Sequence, residues 1–207
     1  MRTSLALLLV IACIAGCTPK TPTVVVNNAE EASQTLAKIR DLSEEPLLKV
    51  NAGTELTDED TRKLEETLPL AQALVDYDPT QIGAVSLRGK IETALGKSEE
   101  AEATYRQAIK LKPANPSPEM TYLIADLHNE LGKISFSKQN YKAALDDISQ
   151  AVSLVPNEPR FLFNLASVQV EADQLREAKA TLAKVLELDP KNQDALDLRK
   201  LISLSEK

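Results

Sequence analysis

The stretch AEATYRQAIKLKP, residues 101–113, returns in other letters as ALDDISQAVSLVP at 144–156 and AKATLAKVLELDP at 178–190. Each copy sets a small residue, a large apolar residue and a small or medium one at fixed offsets before a proline. The three read Ala101-Tyr105-Ala108-Pro113, Ala144-Ile148-Ala151-Pro156 and Ala178-Leu182-Val185-Pro190. Steps of four and then three residues keep the apolar positions on one helical face. Proline has no N–H and a locked φ, so it stops that helix or opens the next element. One such face cannot bury itself. A phrase that recurs every few tens of residues therefore predicts stacked helical hairpins.

Working outward, the phrase resembles the second helix of the tetratricopeptide repeat, a helix-turn-helix unit of about 34 residues. Counting back from the prolines gives repeats at 82–115, 125–158 and 159–192. The family's bulky, small and alanine positions fall on Val85, Gly89 and Ala101 in the first repeat. They fall on His128, Leu131, Gly132 and Ala144 in the second, and on Leu162, Leu165, Ala166 and Ala178 in the third. Arg88 stands where the family usually has leucine, and the family's tryptophan is absent throughout. The resemblance implies an all-α, right-handed α-solenoid of tetratricopeptide hairpins. Small residues at the crossings let paired helices approach, and a larger side chain there would overpack the contact.

The terminal prolines are 43 residues apart in the first interval and 34 in the second. The surplus lies at 114–124, where Ser117 suits an N-cap and Pro118 a first helical position. The expectation is a helix over 119–138, longer than usual and projecting from the stack. Upstream, Pro79 lies 34 residues before Pro113, and Leu64, Leu68, Ala71 and Val75 share a face. Residues 29–81 thus read as a degenerate hairpin, with helices at 28–42 and beyond the capping-box pattern Thr57-x-x-Asp60. Residues 44–56, with Pro46 and Gly53, read as a connection, and Pro69 is expected to kink or split its helix. Residues 193–207, with Leu196, Leu198, Leu201 and Ile202, read as the capping helix that a repeat array needs.

The N-terminus carries a different message. Arg2 is followed by an apolar run from Leu5 to Ile14. That run is shorter than the roughly 20 residues needed to span a bilayer, so 1–16 read as a signal peptide. Ile14-Ala15-Gly16-Cys17 resembles the bacterial lipobox. The resemblance implies that Cys17 receives a diacylglycerol and becomes the mature N-terminus. Residues 17–28 would then be a lipidated tether, and the protein would face the periplasm of a bacterial envelope. Thr18, in place of the aspartate that favours inner-membrane retention, leans the expectation toward an outer membrane.

Composition narrows the function classes. The chain has 207 residues, 43% hydrophobic and 3% aromatic, with net charge −7. An acidic chain without a basic run is a poor nucleic-acid binder, because phosphate repulsion goes unopposed. There is one histidine, and both cysteines, Cys13 and Cys17, lie in the leader region. No phosphate-cradling loop, zinc spacing or calcium loop is present. The expectation is therefore no enzyme, no metal, no cofactor and no small-molecule substrate. His128 reads as core filler, and Asp146-Asp147 as solvated surface.

In the family that the phrase resembles, the first helix of each repeat lines a concave face. Carried over, the groove positions are Gly83, Ser86, Lys90, Thr93 and Ala94, then Asp126, Asn129, Lys133, Phe136 and Ser137, then Arg160, Phe163, Ser167, Val170 and Glu171. Lys90, Asn129, Lys133 and Arg160 would present charge and amide groups, with Phe136 and Phe163 as apolar anchors. Such a groove suits an extended peptide bearing a carboxylate. The family's two-carboxylate clamp is not matched, because Lys90 and Lys133 occupy the place of its asparagine. The expected function is a membrane-anchored envelope scaffold that binds a peptide or protein partner. The alternatives are a self-associating scaffold built on the 119–138 helix, or an accessory subunit of an envelope enzyme or of a secretion or pilus assembly.

Overall fold

The computed structural model describes residues 24–205, and all of its regular structure is helical. The signal segment and Cys17 lie outside the described residues. Nine helices follow in order among those described: α1 (Ala29–Asn51), α2 (Asp58–Tyr77), α3 (Ile82–Ala94), α4 (Ser98–Lys110), α5 (Pro118–Ser137), α6 (Tyr141–Leu154), α7 (Pro159–Glu171), α8 (Leu175–Leu188) and α9 (Gln193–Ser205). Successive helices pair as hairpins, and each hairpin packs on the next. The odd-numbered helices are also neighbours, α1 with α3, α5 with α7 and α7 with α9, so they line one face of the stack.

The repeated phrase forms the spine. Ala101, Tyr105 and Ala108 on α4, their counterparts Ala144, Ile148 and Ala151 on α6, and Ala178, Leu182 and Val185 on α8 are all buried. Each triad faces the first helix of its own hairpin. A Cβ added at Gly89 of α3 would lie 2.5 Å from Tyr105 Cε1. One added at Gly132 of α5 would lie 2.9 Å from Ile148 Cδ1 and 3.2 Å from the Ala144 carbonyl oxygen. Real contacts do not close to such distances, so hydrogen is the only side chain these crossings accept without movement.

The hairpin turns share one geometry. The residue two past each of α1, α3, α5 and α7 is left-handed: Gly53 (φ 67°), Gly96 (φ 72°), Gln139 (φ 58°) and Asp173 (φ 59°). In each turn the next N–H donates back to the third-last carbonyl of the helix. These bonds are Thr54 to Lys49, Lys97 to Glu92 and Asn140 to Ser135 at 2.9 Å, and Gln174 to Gln169 at 2.8 Å. This is the Schellman closure, which satisfies carbonyls that the helix end leaves free. The recurrence reaches α1, so the turn chemistry of the degenerate hairpin matches that of the later three.

Three expectations are corrected. Residues 44–51 are not connection: α1 continues through Pro46 to Asn51. Pro46 forfeits the hydrogen bond to Leu42, but Ile39, Ser43 and Pro46 continue one buried face, with Leu42 and Leu47 packed on the same core. Lys49 Nζ then ties the last turn to α2, 2.9 and 3.0 Å from the Asp60 carboxylate. Likewise α2 runs unsplit through Pro69. The long helix α5 does begin at Pro118, with the Ser117 hydroxyl accepting from the Met120 N–H at 3.2 Å. It does not project, however. Met120 and Leu123 pack on the α3–α5 core, and the Tyr122 ring lies 5.8 Å from Phe161 of α7. The added turns are absorbed between hairpins because their apolar residues find partners there.

A charged ladder on the odd-helix face

The face shared by α3, α5 and α7 is organised by two carboxylates. Asp126 on α5 reaches both neighbouring hairpins. Its Oδ2 lies 2.8 Å from Lys90 Nζ on α3, and its Oδ1 accepts from Arg160 Nη2 on α7 at 2.7 Å. One turn further along α5, Glu130 accepts from Lys133 Nζ at 2.9 and 3.0 Å and faces Arg160 Nη1 at 3.8 Å. The carboxylate side chains are 7% and 9% exposed, whereas those of Lys90, Arg160 and Lys133 are 40%, 44% and 45% exposed. The acids therefore form the floor and the cations the surface. Three cationic heads lie at the surface over Asp126 and Glu130, with Glu158 beside Tyr122 and Arg160 at the rim.

Burial pushes the Asp126 carboxyl upward, but the charges of Lys90 and Arg160 outweigh it and hold the group below the ordinary 3.8. Burial draws the Arg160 guanidinium downward, and its bonds to Tyr122 and Asp126 outweigh that and raise it. The Asp126–Arg160 pair is thus held in its charged form. Arg160 is fixed further by the Phe161 ring 4.8 Å away. The Tyr122 hydroxyl lies within 3.5 Å of Arg160 Nη2 and donates to Glu158 Oε2 at 3.2 Å. A guanidinium held on several sides loses little side-chain freedom when a ligand arrives.

Of the residues expected in the groove, Lys90, Lys133 and Arg160 converge here. Asn129 does not reach the surface. It is fully buried, its carbonyl oxygen accepts from Asn164 Nδ2 at 2.7 Å, and its amide faces Glu130 at 3.4 Å. It is a tie between α5 and α7. Phe136 is half-buried beside Tyr141 and packs on the Ala144–Ile148–Val168 core. Phe163 is half-buried against the α7–α9 core. Both spend most of their surface inside the stack. Thr93 turns inward as well, to the Tyr105 hydroxyl at 3.0 Å. His128, read from the sequence as core filler, is only half-buried and lies beside an acid, with Nδ1 3.3 Å from Asp147 Oδ1. Asp147 is therefore not open surface, which corrects that expectation.

Glu130, Tyr122, Glu158 and Asn164 were not anticipated as part of this face. Asp126 and Arg160 are one repeat apart, at 34 residues, and Asn129 and Asn164 are 35 apart. Complementary residues at the repeat spacing are the signal that identifies such ties. Among the described residues there is no cluster of His, Cys, Asp or Glu able to hold a metal ion. No described helix is long and apolar enough to cross a membrane.

Comparison with known proteins places this architecture. Tetratricopeptide repeat family models match residues 84–115 and 135–202. No curated protein matches the sequence. Among solved structures, YrrB, described as a TPR protein with an unusual peptide-binding site, aligns with TM-score 0.59 and 19% identity over 84% of each chain. MamA from Desulfovibrio magneticus RS-1 aligns with TM-score 0.61 and 16% identity over 82% of this chain and 85% of that one. The first TPR of Spaghetti (RPAP3), solved with the HSP90 peptide SRMEEVD, aligns with TM-score 0.55 and 22% identity over 62% of this chain and 95% of that one. The fold is an all-α tetratricopeptide solenoid.

Proposed function

We propose that this protein is a non-enzymatic scaffold that captures a peptide or protein partner on its odd-helix face and holds it at a bacterial envelope membrane. The observation that carries the binding part is the ladder itself. Lys90, Arg160 and Lys133 are fixed by buried Asp126 and Glu130 while their charged heads stay at the surface. Preorganised cations on an otherwise acidic protein select an acidic segment by complementarity and by low ordering cost. Two of the fold's relatives are described by their peptide binding, YrrB and the first TPR of Spaghetti. The membrane part rests on the Ile14-Ala15-Gly16-Cys17 motif. Two or more acyl chains at Cys17 would hold the chain durably, since each buried methylene adds about 0.8 kcal/mol.

A photo-crosslinking side chain placed at Lys133 in intact cells tests the binding reading. A discrete adduct at Lys133 that is missing when the probe sits at exposed Asp146 on α6 is the expected result. Equal adducts at both positions would move the partner off this face. Acyl labelling of the wild type, lost in Cys17→Ser, tests the anchor. Labelling that survives the substitution would remove it.

A further inference from the structure

The charged ladder ends at Lys90, and an apolar trough begins there. Lys90 also lines a cavity of about 510 Å³ between α1 and α3. Leu36, Leu47 and Leu48 of α1, with Arg40 and Glu44 between them, form one wall, and Leu87 of α3 and Leu123 of α5 lie opposite. Leu36 is 42% and Leu48 61% exposed, which is unusual for leucines that share one hollow on a helix. A second cavity continues past Leu36 toward Tyr77 at the end of α2, with Gly83 common to both. A Cβ at Gly83 would meet nothing within 4 Å, so the trough is open at that point. It exists because α1 runs on through Pro46, which carries Leu47 and Leu48 along the α3 flank.

We infer that α1 supplies a second, apolar subsite, so that the ligand is a two-part segment. Aliphatic side chains would lie in the α1–α3 trough, and a carboxylate would follow over Lys90, Arg160 and Lys133. The two parts share Lys90, which fixes their order along the stack. Complementarity chooses the occupant: one end of the surface is lined mainly by leucines, and the other presents the partly exposed cationic heads of Lys90, Arg160 and Lys133. A wholly charged segment would leave the leucines wet, and a wholly apolar one would desolvate the cations without pairing them. The inference rests on the binding proposed above for the same face.

The test is selection of random linear peptides on the full-length chain, followed by affinity measurement on the winners. Recovered peptides should carry aliphatic residues on one side of an acidic residue. Leu48→Asp, and separately Gly83→Leu, which fills the trough from an exposed position on α3, should each weaken binding about tenfold or more. Circular dichroism should be unchanged in both. Lys133→Glu should weaken the same peptides, and alanine at the peptide's acidic position should abolish that sensitivity. Peptides that respond to Lys133→Glu but bind Leu48→Asp and Gly83→Leu with unchanged affinity would overturn the apolar subsite and leave the ladder as the site. Failure to recover any peptide, or binding indifferent to all three variants, would overturn the ladder reading as well. Concentration-dependent self-association abolished by Leu48→Asp would show that a second copy fills the trough, and would also overturn the inference.

Discussion

Single residues in this protein are set by a few hydrogen bonds whose removal has a definite sign. Asp60 is the sharpest case. Its carboxylate accepts from the Thr57 hydroxyl and the Thr57 N–H, and from Lys49. The bonds from Thr57 and then Lys49 hold it down to about 2 from an ordinary 3.8. A group depressed in the folded state stabilises fully above its unfolded value and ceases to as pH falls through the folded one. Stability should therefore decline between pH 3.8 and about 2 in a manner that Asp60→Asn removes, as thermal melts across that window would read. The left-handed turn residues give a second prediction. Gln139 has a side chain where Gly53 and Gly96 have none. Left-handed backbone costs an ordinary residue about 1–2 kcal/mol, and aspartate tolerates it better. After the extra unfolded-state freedom of glycine is deducted, Gln139→Gly should stabilise by about 0.5–1 kcal/mol, more than Asp173→Gly. A denaturant series in which neither midpoint rises would refute the strain argument. These positions were only partly legible in the sequence. Thr57-x-x-Asp60 announces a capping box, but nothing local announces Lys49 as its third partner, because that contact arrives from the previous helix.

At the scale of the element, the hairpins depend on close crossings. Gly132 packs onto Ile148 and the Ala144 backbone, so Gly132→Val should destabilise by about 1–3 kcal/mol through overpacking. Ala at Gly83, which meets open space, should be neutral or mildly stabilising in the same assay. A comparable loss at both positions would mean that helix propensity, not the crossing, governs α5. The helical hairpins from α3 to α8 follow the apolar period and the prolines that punctuate it. The continuation of α1 through Pro46 does not. Proline argues locally for a break worth about 3 kcal/mol. Burial of Ile39, Leu42 and Leu47 against α2 supplies the opposing term, and it is visible only once the two helices are packed. The same holds for α5. Its length could be read from the proline spacing, whereas its seat against Phe161 and Arg160 depends on α7.

The whole molecule is a one-dimensional stack in which each hairpin is stabilised mainly by its neighbours. The last apolar face, with Leu182 and Val185, is closed by buried Ala195 and Ile202 of α9. Ending the chain before Gln193 should lower the melting temperature by several degrees and bring concentration-dependent association, measured by calorimetry and light scattering. A truncated chain that melts as the wild type does would show α9 to be dispensable. What the sequence by itself determined is the architecture: helical hairpins at the proline spacing, small residues at the crossings and a terminal cap. Those features are local or periodic, and a 3.6-residue period with punctuating prolines leaves few other solutions. What only the tertiary structure decided is the face. Lys90, Asp126 and Arg160 lie on three different helices, and stacking alone turns them into an ion-paired ladder. Stacking also buries Asn129 and most of Phe136 and Phe163, although repeat position alone puts all three in the open groove. Solvent exposure and charge pairing are properties of neighbours brought together by packing, and no single helix encodes them.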